Sequence, residues 1–265
     1  MSSEISFIDA GDVRFRIARD GSKAAPPLMF SNSLGATLEM WNGQIPVFAE
    51  THRVIRYDVR GHGGSSCPPG PYSLAMLAQD ALRILDTLHI HKVDWIGCSM
   101  GGMVGMYLLT HHPDRINRAV LGNTAAFMGP PFTDWNARIR IAHRDGMGAI
   151  AAAMKMRWFT PAFNQSNPAE VARITDQVRE ATVTGYTACC AALRDMDQRE
   201  AIKSISNPVL VVIGEKDIAT TPAMGEIMVR NIPGAKKAVV PGSHIANCES
   251  PAEYNRVVSS FLGAA

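Results

Sequence analysis

Gly97-Cys98-Ser99-Met100-Gly101 sets a serine between two glycines, the G-x-S-x-G pattern in which a sharp turn forces the serine hydroxyl outward. Such a hydroxyl is a weak nucleophile at neutral pH. It needs a base, and the base needs a third group to orient it. Downstream, Asp217 stands in Gly214-Glu215-Lys216-Asp217 and His244 in Pro241-Gly242-Ser243-His244, which completes the order Ser, Asp, His. Ser99 is the candidate nucleophile, His244 the candidate base and Asp217 the candidate acid. Glu215 is a rival for the acid. Asp58 and His62, in Tyr57-Asp58-Val59-Arg60-Gly61-His62, are an earlier rival pair that the chain order disfavours. His62 reads better as a maker of turn hydrogen bonds. His111 and His112 read as partners for a helix dipole, and His89 and His91 as surface residues. The competing reading of the serine motif itself is a glycine-rich turn with a surface hydroxyl.

Acyl transfer also needs amide N–H groups to meet the oxyanion of the tetrahedral intermediate. Met100, directly after the nucleophile, is one candidate donor. Leu34, in Ser31-Asn32-Ser33-Leu34-Gly35, is the other; without the serine motif that segment would read as an ordinary polar turn. Cys98 reads as a small packed side chain, not as a nucleophile.

These residues must be carried to one place. Short β-rich runs at 5–8, 13–18, 27–31 and 54–57 read as strands. Apolar residues recur at helical spacing from 74 to 88, with Ser73 able to cap the first turn. A strand at 93–98, a helix at 100–111 ended by Pro113 and a strand at 116–121 then form a unit with a right-handed crossover. The alternation returns with strands at 209–213 and 238–240 and helices at 222–232 and 251–261. The expected fold class is α/β: a mostly parallel sheet with helices on both faces, which with the serine motif at a strand-to-helix turn is the α/β-hydrolase fold. Ser99 then sits after one strand, Asp217 after a late one and His244 after the last. Between the two alternating parts, Ala, Met and Arg at helical spacing replace β-branched runs. The expected organisation is one domain, with a core at 1–124 and 206–265 and an inserted helical lid at 125–205.

Composition narrows the partner. The 265 residues are 46% hydrophobic, enough for a sizeable core. Lys and Arg number 26 against 24 Asp and Glu, a net charge of +2, so there is no large field for nucleic acid or an anionic membrane and a small molecule is expected. Residues 1–10 have no basic region leading into a long apolar run, and no stretch approaches the length of a transmembrane span. Five scattered cysteines offer neither a disulfide framework nor metal-ligand spacing. A cytoplasmic protein is expected; oligomeric state is not legible.

The chain also resembles the 3-oxoadipate enol-lactonases. The matching segments are Ser31-Asn32-Ser33-Leu34-Gly35 with Trp41, Arg56-Tyr57-Asp58 with Arg60-Gly61-His62-Gly63, Gly70-Pro71-Tyr72-Ser73, Ser99-Met100-Gly101-Gly102, Asn123-Thr124-Ala125-Ala126, Arg157-Trp158-Phe159-Thr160-Pro161 and Arg194-Asp195-Met196-Asp197. The resemblance implies opening of an enol-lactone to 3-oxoadipate through an acyl-enzyme, with no metal or organic cofactor. Such a substrate carries a carboxylate, which a lid arginine with an aromatic wall would fit. Arg157 and Trp158 are the first candidates, Trp135 and Arg138 the next; each arginine could equally be solvated or paired on a helix face. Where the family usually has a basic residue after Asn123-Thr124-Ala125-Ala126, this chain has Phe127, followed by Gly129-Pro130-Pro131. A phenylalanine there, counted among the substrate-binding candidates, suggests a less charged or larger acyl group.

Other readings use the same triad: an esterase or lactonase for a different, less anionic substrate, an esterase with perhydrolase side activity, and a carbon-carbon bond hydrolase of ring-cleavage products. A slow-turnover ligand receptor is the reading from another class; the chain shows no added interaction domain for it. Dehalogenase and epoxide hydrolase chemistry would need a carboxylate where Ser99 stands.

Overall fold

A strand covered on both faces is apolar along its whole length, whereas an edge strand tolerates polar side chains. The computed structural model describes residues 3–263 and contains both kinds. The strands are β1 (Glu4–Ala10), β2 (Val13–Asp20), β3 (Pro27–Ser31), β4 (Arg53–Tyr57), β5 (Val93–Cys98), β6 (Ile116–Gly122), β7 (Val209–Gly214) and β8 (Lys236–Val240). They form one sheet in the order β1-β2-β4-β3-β5-β6-β7-β8. The β1-β2 and β2-β4 pairs are antiparallel; every other pair is parallel. β5 and β7, in the interior, are buried at every position. β8, at one edge, is exposed at Lys236, Lys237 and Val239. The expectation of a strand at 238–240 fell short because it followed the apolar residues alone, and an edge strand can begin on lysines.

The helices are α1 (Ile45–Phe48), α2 (Leu74–Thr87), α3 (Met100–His111), α4 (Trp135–Trp158), α5 (Pro161–Ser166), α6 (Pro168–Glu180), α7 (Val183–Asp195), α8 (Pro222–Asn231), α9 (Ala246–Glu249) and α10 (Pro251–Leu262). α2 buries Leu74, Leu77, Ala78, Ala81 and Leu85, and Ser73 Oγ accepts the Met76 amide at 3.2 Å as its cap. Truncating a side chain such as Leu85 to alanine would cost about 3 kcal/mol. α3 packs on β5 and β6, α8 on β7 and α10 on β8. α1 and a 3₁₀ turn at Leu38–Trp41 are too short to leave a periodic signal, and sequence reading passes over both.

α4 to α7 lie between β6 and β7. α4 is capped by Asp134, whose side chain accepts the Ala137 amide at 2.8 Å, and it kinks at Gly146 (φ 76°, ψ 179°). α4 reaches the loops after β3, β5, β7 and β8, lining a cavity with Ser33, Ser99, Thr220 and His244, while Gln177 of α6 meets Thr37 and Gly185 of α7 meets Gly61. Among the described residues no helix is long and apolar enough to cross a membrane.

Candidate active site

β5 ends at Cys98 and α3 begins at Met100, so a single residue turns the chain. Ser99 makes that turn at φ 53°, ψ −113°, a strained conformation for a residue with a Cβ. Its amide donates to the Gly122 carbonyl at 2.9 Å and its carbonyl accepts the Thr124 hydroxyl at 2.7 Å. The flanking glycines are steric requirements. A Cβ on Gly97 would lie 2.2 Å from the Gly101 carbonyl oxygen, and one on Gly101 would lie 2.1 Å from that of Ser31. Cys98 is buried behind the turn, with burial pushing its thiol well up, which fits its reading as a packed side chain.

β7 and β8 are parallel neighbours, so the loops leaving their C-terminal ends meet. Asp217 comes from the first loop and His244 from the second, with Asp217 Oδ2 2.9 Å from His244 Nδ1. The Asp217 carboxylate is almost completely buried. It accepts the Ala219 amide (2.7 Å) and the Thr220 amide (3.0 Å) at Oδ1, and the Thr220 hydroxyl (2.7 Å) and Asn123 Nδ2 (3.1 Å) at Oδ2. Burial alone would raise its pKa. The charge and hydrogen bond of His244, the Thr220 hydroxyl and the Ala219 amide outweigh that and hold the carboxyl below its ordinary value. Glu215, the rival acid, sits at the surface beside Lys216 at 3.6 Å.

The earlier rivals have different work. Asp58 accepts the Leu38 amide (2.8 Å) and the Gly64 amide (2.9 Å) and pairs with Arg16 at 3.1 Å. His62 is buried; its Nε2 accepts the Gly35 amide at 2.9 Å while Nδ1 lies 3.2 Å from the Arg60 carbonyl. Burial pushes its pKa down to about 4, so the ring is neutral and Nδ1 is the donor. Asn32 braces the same loop. Its Oδ1 accepts Trp41 Nε1 (2.9 Å), its Nδ2 donates to the Tyr57 carbonyl (2.8 Å), and its own carbonyl accepts the Gly101 amide (3.0 Å). Leu34 is thereby fixed beside the serine turn. Among the described residues neither the Leu34 nor the Met100 amide donates to a protein acceptor; Met100 opens α3, where helical amides have no intrahelical partner.

Ser99, His244 and Leu34 line one small cavity of about 30 Å³, and Trp135, Arg138, Arg157 and Trp158 from α4 line it too. Arg138 is anchored: Nε donates to the Tyr186 hydroxyl at 2.5 Å, and the guanidinium lies over the Trp135 and Tyr186 rings at 5.3 and 5.6 Å. Arg157 has no side-chain hydrogen bond or carboxylate partner among the described residues. Burial and the charge of Arg138 lower its pKa, so the cavity wall holds a half-buried cation in want of an anion.

Phe127, expected on this wall, is not among the residues that line the cavity. Its backbone bridges to Asp197, its ring lies 4.2 Å beneath the Arg199 guanidinium, and Phe132 meets it edge-on at 6.3 Å. Sequence reading missed Thr220 and Asn123. The signal for Thr220 was available: a buried carboxylate needs several donors, and a hydroxyl three residues on is within reach of it.

The α/β hydrolase fold family matches residues 26–251 of the chain. Among curated proteins, 3-oxoadipate enol-lactonase 2 of Acinetobacter baylyi is 39% identical over 255 residues, covering 96% of this chain and 95% of that one. 3-Oxoadipate enol-lactonase 1 of the same organism is 33% identical over 92% of this chain and 91% of its own. Among solved structures, the enol-lactonase from Burkholderia xenovorans LB400 superposes with a TM-score of 0.95 at 37% identity, covering 97% of this chain and all of that one. With the serine turn, the buried Asp217–His244 pair and the eight-stranded sheet in place, the chain belongs to the α/β-hydrolase fold family and, within it, to the 3-oxoadipate enol-lactonases.

Proposed function

We propose that this protein opens 3-oxoadipate enol-lactone to 3-oxoadipate, with Ser99, His244 and Asp217 as its catalytic triad. Ser99 Oγ attacks the lactone carbonyl as His244 Nε2 takes its proton, and Asp217 holds the ring and stabilises the imidazolium. The oxyanion is met by the Leu34 and Met100 amides. Collapse of the intermediate breaks the ring C–O bond, and His244 returns the proton to the leaving enol oxygen, which tautomerises to the ketone. Water, deprotonated by His244, then attacks the acyl-enzyme and releases the new carboxylic acid together with Ser99. No step calls on a metal or an organic cofactor.

The observation that carries the substrate reading is Arg157. A half-buried guanidinium without a partner, next to the anchored Arg138, favours a substrate with a carboxylate on the arm away from the reacting carbonyl. Trp135 and Trp158 would form the apolar wall against the ring. α4 to α7 would act as the lid over the core, and Phe127, outside the cavity, has no part in recognition. The five thiols, all free, support a reducing compartment such as the cytoplasm.

Labelling with a fluorophosphonate tests serine chemistry and substrate together. Phosphonylation of the peptide bearing Ser99 should abolish lactone opening in step with the labelled fraction. Opening that persists after complete labelling would refute the mechanism.

A further inference from the structure

The end of α4 and the loop of His244 are joined at four points. The Trp158 carbonyl accepts the Ile245 amide at 3.1 Å, and the Ser243 hydroxyl is shared between the Arg157 carbonyl at 3.3 Å and the Lys216 carbonyl at 3.2 Å. The other two pass through one side chain. Glu249 Oε2 accepts the Ser243 amide at 2.9 Å, while the same carboxylate accepts the amide of Thr160 at 3.3 Å and its hydroxyl at Oε1. Glu249 thus holds the residue before His244 with one oxygen and the chain three residues past Arg157 with the other. A carboxylate accepting three donors at fixed positions is a stiff clamp, because charge-assisted bonds are stronger than neutral ones.

We propose that Glu249 is a positioning residue that couples the substrate clamp to the general base. Through it, the segment carrying Arg157 and the loop carrying His244 move as one body, so seating the substrate carboxylate on Arg157 also sets the His244 ring against Ser99. This rests on the enol-lactone reading above. A merely structural Glu249 would weaken turnover of every substrate alike; a coupling Glu249 weakens an anionic substrate more, and only while Arg157 is present.

The test is a double-mutant cycle read as selectivity, the ratio of kcat/KM for the enol-lactone to kcat/KM for neutral p-nitrophenyl acetate. Glu249→Ala should lower this ratio about tenfold with Arg157 present and change it by less than about twofold in the Arg157→Ala protein. Glu249→Gln, of nearly the same volume, keeps one acceptor oxygen and should lower the ratio about threefold; it carries the test should the alanine variant fail to fold. An unchanged ratio, or equal falls in both backgrounds, overturns the coupling alone. Failure of the underlying reading shows earlier: a wild type that does not open the lactone, or an Arg157→Ala single variant with the wild-type ratio, overturns the anionic substrate and the coupling with it.

Discussion

Gly35 donates its amide proton to His62 Nε2 at 2.9 Å, tying the loop after β3 to the turn after β4 across 27 positions of sequence. The acceptor must be a neutral imidazole, and burial keeps it so by lowering its pKa from 6.5 to about 4. The unfolded chain protonates this ring near its ordinary value while the folded chain resists, so the stability is whole above about pH 6.5 and is lost as pH falls toward 4. The loss amounts to roughly 3 kcal/mol. His62→Gln keeps an acceptor and does not titrate. Urea denaturation across this range should show the wild type losing roughly that much more stability than the variant. Parallel curves would mean that His62 is not the titrating group.

Asp217 and Glu215 are two residues apart, yet only Asp217 reaches His244. Asp217→Asn should lower kcat by about ten-thousand-fold, because the amide no longer holds the ring in the required tautomer. Glu215→Gln should stay within about twofold of wild type, as a surface residue with one exposed partner does. Single-turnover acylation rates decide the matter, and a larger loss in Glu215→Gln would reassign the acid.

The residues proposed as the triad could be picked out because Ser99 and Asp217 each follow a mostly apolar strand and the serine carries its own glycine signature, whereas β8, before His244, announced only its last three residues. The helical character of the segment between β6 and β7 was legible from Ala, Met and Arg spacing. What the sequence hides is direction. Phe127 was expected beside the substrate, and only the structure shows it bridged to Asp197 and lying under Arg199. Asn123 and Glu249 were hidden for another reason: each satisfies a polar group brought from a distant part of the chain, Asn123 on Asp217 and Glu249 on Thr160, and no local pattern marks such a partner.

Phe127→Lys restores the charge expected by family resemblance at a site outside the cavity. It should change kcat/KM for the enol-lactone by less than about threefold and destabilise the fold only slightly, through the lost stacking with Arg199. A gain of tenfold or more in kcat/KM would show that position 127 does address the substrate after all.

Steady-state hydrolysis of enzymatically generated 3-oxoadipate enol-lactone beside p-nitrophenyl acetate, with wild type and Ser99→Ala, tests the central claim most directly. The wild type should open the lactone efficiently, and removing Ser99 should lower kcat by about a million-fold. Ester cleavage that depends on Ser99 with no opening of the lactone would contradict the proposed substrate, and lactone opening that survives Ser99→Ala would contradict the mechanism.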